Sequence, residues 1–144
     1  VQNEDIALVL MEFEDGSRGT MTASVAAPGH KNDLVIRVDG TGYALYWEQE
    51  NPDKLFIESN EDGITMRQAG GEMLSEEALP YATLPSGHPV GWADAFRNGI
   101  RAFYDAVRGS EERRFASFED GDYVLRVIEA CYESNQNRCW TDVK

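Results

Sequence analysis

The sequence is short of the residues that most often carry chemistry or staple a small domain. Its two cysteines, Cys131 and Cys139, are too few and too oddly spaced for a disulfide framework or a zinc knuckle, so reduced thiols in a cytoplasmic chain are expected. Its two histidines, His30 and His88, have no second histidine or cysteine three or four residues away, which argues against a metal site. No apolar run approaches the roughly 20 residues that a transmembrane helix requires. No basic segment followed by an apolar one marks a secretory signal. Positive charge is scarce as well, with 13 Lys and Arg against 26 Asp and Glu and a net charge of −13. The densest basic run is the pair Arg113-Arg114, far from the cationic stripe that phosphate backbones require, so nucleic acid and membrane are both excluded as partners. The acids come as short pairs such as Glu61-Asp62 and Glu111-Glu112, and they read as a solvated, self-repelling surface.

What remains is a chain of 144 residues, 42% hydrophobic and 27% charged, enough for one domain with a core of its own. Its first half has the period of strands. Ile6 to Phe13 is almost continuously apolar, as in a strand covered on both faces, and Glu14-Asp15-Gly16-Ser17 supplies a turn after it. Gly19 to Val25 alternates, with Thr20, Thr22 and Ser24 opposed to Met21, Ala23 and Val25, and so short a connection makes the pair antiparallel. Asp33 to Asp39, Tyr43 to Trp47, Leu55 to Glu58 and Ile64 to Arg67 continue the pattern. The Gly40-Thr41-Gly42 between two of them is a hairpin turn. A dinucleotide fingerprint needs a third glycine and a following helix. Gln68 to Ser86 is a long surface connection.

The period then changes to 3.6. Trp92, Phe96, Gly99, Ile100, Phe103 and Val107 lie along one side of a helix that Gly109 stops, with Asp94–Arg97 and Arg101–Asp105 at pairing distance on the other. Ser117 caps a second helix, whose buried stripe is expected at Val124, Val127, Ile128 and Cys131, and Cys139 to Val143 is expected as a last edge strand. Strands followed by helices give an α+β fold: an antiparallel or mixed sheet of about six strands, with the two C-terminal helices packed on one face, in a single domain spanning residues 1–144. Ser86 near His88 lacks a nucleophile elbow, and Asp94 fits a cap or ion pair better than catalysis. His88, between Gly87 and Pro89 just ahead of the first helix, is the one candidate for ligand contact.

Three stretches in order resemble the C-terminal domain of the glucose-fructose oxidoreductase/inositol dehydrogenase/rhizopine-catabolism (Gfo/Idh/MocA) family. Asp5 to Gly19 fits D-x-A-x-x-L-x-x-F-x-x-G-x-x-G, and Trp47 to Leu55 fits W-E-x-x-x-P-x-x-L after a glycine turn. Gly87 to Phe96, with Phe118-Glu119-Asp120-Gly121, is similar to the family's late helices. The resemblance implies a two-domain oxidoreductase for sugars or polyols, whose N-terminal Rossmann domain binds NAD or NADP and carries an E-K-P lysine. A D-x-x-x-H helix follows in the family. Neither motif is here: Lys31, Lys54 and Lys144 lack the flanking Glu and Pro, and neither histidine has an aspartate four residues before it. By that resemblance the chain, which starts at Val1, follows the catalytic helix, and alone it holds no catalytic residue and no cofactor. It is expected to form one wall of the substrate cleft, with His88 as the substrate contact, and to self-associate through its sheet face. Its expected partners are therefore its own Rossmann domain and further copies of itself. The alternative is a free-standing α+β binding or assembly module.

Overall fold

A computed structural model describes residues 4–70 and 74–144. Six antiparallel strands precede two α-helices, which makes the fold α+β. The strands are β1 (Ile6–Glu12), β2 (Arg18–Ser24), β3 (Val35–Asp39), β4 (Ala44–Glu48), β5 (Lys54–Ser59) and β6 (Gly63–Gln68); the helices are α1 (Trp92–Val107) and α2 (Phe118–Asn137), with one 3-10 turn at Leu79–Tyr81. The strands form a two-stranded sheet, β1-β2, and a four-stranded meander, β3-β4-β5-β6. The chain divides into two compact units, one of Val1–His30 with Ala116–Lys144 and one of Lys31–Phe115.

The first unit holds the β1-β2 hairpin and α2. Ser17 donates its amide to Asp15 Oδ1 at 2.9 Å, and Phe13 donates to the Ser17 carbonyl at 2.9 Å, so the turn closes as its sequence indicates. Pairing of Leu8 with Thr22 and Leu10 with Thr20 fixes the register. The expectation that β1 is covered on both faces fails within this chain. Val9 and Met11 are half-buried, but Leu8 is 77% and Leu10 69% exposed on the other face. A single hairpin has one neighbour to offer. The α2 stripe shares the shortage, with Val127 and Cys131 half-buried and Val124 and Ile128 exposed.

At the start of α2 the amide of Asp120 donates to Ser117 Oγ at 3.1 Å, and the Ser117 amide returns to Asp120 Oδ2 at 2.7 Å, closing a capping box. The backbone and hydroxyl bonds from Ser117 hold the Asp120 carboxyl below the usual aspartate range. A depressed folded value means that the stabilisation is complete above the unfolded aspartate pKa and disappears as pH falls through the folded one. Ser117→Ala is expected to cost about 1 kcal/mol at neutral pH. Asp120→Asn should remove the acid-side part of the loss of helical circular dichroism; an unchanged acid titration in that variant would contradict the assignment.

The expected strand at Cys139 to Val143 does not form, because the tail turns back along α2. Arg138 takes a left-handed conformation with φ 56°, Ser134 Oγ donates to the Cys139 carbonyl at 2.7 Å, and Arg126 donates to the Lys144 carbonyl at 3.0 Å. Those carbonyls are therefore spent on a helix. Tyr132 on α2 donates to Glu4 Oε2 at 2.5 Å, which lowers the Glu4 carboxyl pKa, raises that of the phenol, and ties the lead-in to β1 to the helix.

The second unit holds the meander and α1. Gly109 ends α1 as the sequence indicates. Its φ is 102°, its amide donates to the Ala106 carbonyl, and Ser110 donates to the Asp105 carbonyl, the paired bonds of a Schellman stop. The apolar stripe of α1 remains open, with Trp92 66% and Val107 67% exposed. The ion pairing on its other side differs from the expectation: Asp105 pairs with Arg108 at 3.5 Å, and not with Arg101.

Candidate functional site

His88 closes a turn that begins at Pro85. Its amide donates to the Pro85 carbonyl at 3.1 Å, and its ring Nδ1 lies 3.2 Å from the same oxygen. A carbonyl only accepts, so the geometry calls for the proton on Nδ1, which leaves Nε2 of an exposed ring as an acceptor. The turn is seated against the end of the meander at Gly70, where a β-carbon would lie 3.2 Å from Ser86 Cα and 3.4 Å from Ser86 N, and where φ is +83°. Gly70→Ala is therefore doubly penalised. It should displace the Pro85–His88 turn and destabilise the second unit by about 1–3 kcal/mol. Chemical denaturation checks the second effect, and an unmoved His88 ring resonance would contradict the first.

Beyond the turn, Asp94 accepts the Gly91 amide at 2.9 Å and pairs with Arg97, so it is a cap and ion-pair residue, as expected. Both helix entrances are thus occupied by the chain's own carboxylates, Asp94 and Asp120. A pyrophosphate bound at a helix N-terminus needs those amides free and no negative charge beside them. Neither entrance has the glycine-rich strand-to-helix turn of a dinucleotide fold, so the described residues do not fit NAD or NADP. Among them no group of three or more His, Cys, Asp or Glu is placed to hold a metal, and Cys131 and Cys139 are free thiols.

The meander has two unlike faces. On one, register places Ile36 beside Trp47, Val38 beside Leu45, and Leu45 beside Ile57. Val38, Tyr43, Leu45 and Ile57, with Asp62 and Arg67, line a depression of about 640 Å³ there. Trp47 is fixed by its indole N–H, which donates to the Pro52 carbonyl at 2.9 Å. On the opposite face, which also bears Val35, Ile64 and Met66, the polar groups satisfy one another. Arg37 pairs with Asp39 at 3.0 Å and Glu58 at 2.9 Å, which raises the guanidinium pKa further, and Tyr46 donates to Glu48 at 2.8 Å, which raises that of the phenol. Thr20 and Thr22 belong to β2 in the other sheet and so do not share this face with Tyr43 and Trp47.

Sequence reasoning singled out His88 and the aromatic strand β4 but not Gly70, which looks like any loop glycine until the turn is seen against it. It also missed the polar network at Arg37, whose partners lie on two strands.

The family model described as the C-terminal alpha/beta domain of an oxidoreductase family matches residues 1–143. The chain is similar to the uncharacterized oxidoreductase YfiI of Bacillus subtilis (strain 168), at 30% identity over 98% of this chain and 38% of that protein. An oxidoreductase structure from Sinorhizobium meliloti superposes with a TM-score of 0.88 at 30% identity, covering 95% of this chain and 40% of that one. An inositol dehydrogenase homolog from Azotobacter vinelandii, determined with NADH and myo-inositol, superposes at 0.81 with 27% identity, over 93% and 38% respectively. The chain thus spans about two fifths of the length of the relatives it matches.

Proposed function

Since the chain belongs to the Gfo/Idh/MocA oxidoreductase family, as its C-terminal α/β domain, we propose that it is the substrate-side and assembly domain of an NAD- or NADP-dependent dehydrogenase acting on a sugar or polyol. The dinucleotide and the catalytic lysine, aspartate and histidine belong, in this reading, to an N-terminal Rossmann domain and the helix that follows it. This chain supplies one wall of the cleft and a surface for a second copy. A cytoplasmic location goes with it, in keeping with the two free thiols.

One observation carries the reading: one face of the meander leaves Ile36, Val38, Tyr43 and Leu45 exposed around a depression. Apolar faces left open on a small body mark a surface made to be covered. The exposed side of β1 adds to this.

At the cleft, His88 is assigned a binding role. Its Nε2 accepts a hydrogen bond from a substrate hydroxyl, while Nδ1–H is held by Pro85 and fixes the tautomer. Such a neutral bond is worth about 1 kcal/mol. In the full-length enzyme His88→Ala should therefore raise KM for the polyol about fivefold and change kcat little. Steady-state kinetics with myo-inositol and NAD provide the check, and an unchanged KM would remove His88 from the cleft.

A further inference from the structure

A second cavity, of about 500 Å³, lies within the second unit between the 3-10 turn and α1. Tyr81 forms part of one wall, Asn98, Arg101 and Asp105 come from the side of α1 opposite its apolar stripe, and Glu112 and Arg114 come from the segment that follows the helix. The cavity is open to solvent on one side. Most of the side chains that bound it are charged or hydrogen-bonding.

The wall is organised by contacts within the chain. Asn98 Nδ2 donates to the Tyr81 carbonyl at 3.3 Å, which leaves its amide oxygen as an acceptor. The Arg114 guanidinium sits 5.4 Å above the Tyr81 ring and pairs with Glu112 at 2.5 Å, so it is held on two sides and only 27% of its side chain is exposed. Arg101 is the exception. Helical spacing offers it Asp105 at i+4, but that carboxylate pairs with Arg108 instead. Arg101 thus makes no ion pair among the described residues, in a chain with twice as many acids as bases. A guanidinium without a carboxylate, on a cavity wall with acceptors around it, is built to receive one.

We propose that this cavity binds a small polyhydroxylated carboxylate, with Arg101 pairing the carboxylate group. Asp105, Glu112 and the Asn98 amide oxygen accept hydrogen bonds from the ligand's hydroxyls, and Tyr81 gives it an apolar surface. The same two acids disfavour phosphate, since a dianion would lie beside Asp105 and Glu112 with a single hydroxyl to donate to them. A neutral polyol would satisfy the acceptors but leave Arg101 without a partner. The proposal concerns a different part of the chain from His88 and stands apart from the dehydrogenase reading.

Isothermal titration calorimetry of the chain with sodium D-gluconate tests it, with myo-inositol and inorganic phosphate as parallel probes. Saturable gluconate binding is expected, with myo-inositol and phosphate at least about tenfold weaker. Arg101→Ala, on an exposed helical position where alanine is well tolerated, should weaken gluconate about tenfold or more. Arg18→Ala removes the same charge from a surface pair in the other unit and should change nothing. Circular dichroism verifies that both variants fold. Absence of saturation, phosphate binding as tight as gluconate, or equal loss in the Arg18 variant would each overturn the proposal.

Discussion

Replacing Leu45 by glutamate is expected to convert a self-associating chain into a monomer. Leu45 is central to the apolar face of the meander, directly opposite Val38 on β3 and Ile57 on β5, and it borders the depression beside Tyr43. If that face meets a second copy, a carboxylate there loses water amid Val38, Ile57 and their counterparts. An uncompensated buried charge costs about 3–5 kcal/mol, enough to weaken a dimer by a factor of about a hundred or more. The leucine is already 38% exposed in the single chain, so the fold itself tolerates the change. Ile64→Glu is the matching control. Ile64 is more exposed, at 72%, but pairs with Glu58 on the opposite face of the same sheet. Light scattering over a wide concentration range should show association for the chain and for the Ile64 variant, and a monomer for Leu45→Glu. A strictly monomeric parent chain would refute the interface, and an Ile64 variant that dissociates equally would move it to the other face.

Much of the fold was legible because its signals are local. The 3.6-residue period and the glycine stop define α1 from Trp92 to Val107, and a serine three residues before an aspartate announces the capping box of α2. The hairpins follow from short turns between alternating runs. What was not legible depends on contacts between distant residues. The tail after Cys139 has the composition of a strand, yet Ser134 and Arg126 capture its carbonyls. The partition of six strands into two and four follows from pairing that no short turn dictates, since the segment between β2 and β3 breaks the pattern. Asp105 has an arginine at i−4 and another at i+3, so spacing alone does not choose between Arg101 and Arg108. The continuous apolarity of β1 was read as two covered faces, but this chain covers only the one bearing Val9 and Met11. At the candidate site, the sequence marked His88. The tautomer imposed by Pro85 and the seat provided by Gly70 required coordinates.

The larger expected effect concerns the cofactor. The chain belongs to an oxidoreductase family, yet Asp94 and Asp120 fill the two helix entrances at which a pyrophosphate would bind, and no glycine-rich turn leads into either. A carboxylate in that position repels the diphosphate and takes up the N-cap amide, of Gly91 or Ser117, beside it. The E-K-P and D-x-x-x-H residues that the family resemblance assigns to hydride transfer are likewise missing from the sequence. Both deficits agree with the proposed division, in which this chain serves substrate and assembly. The direct measurement is fluorescence titration with NADH of the isolated chain beside the full-length polypeptide, followed by turnover of myo-inositol with NAD. The full-length protein should bind NADH, whereas the isolated chain should show neither saturable binding nor turnover. Tight NADH binding by the isolated chain would contradict the division of labour proposed for it.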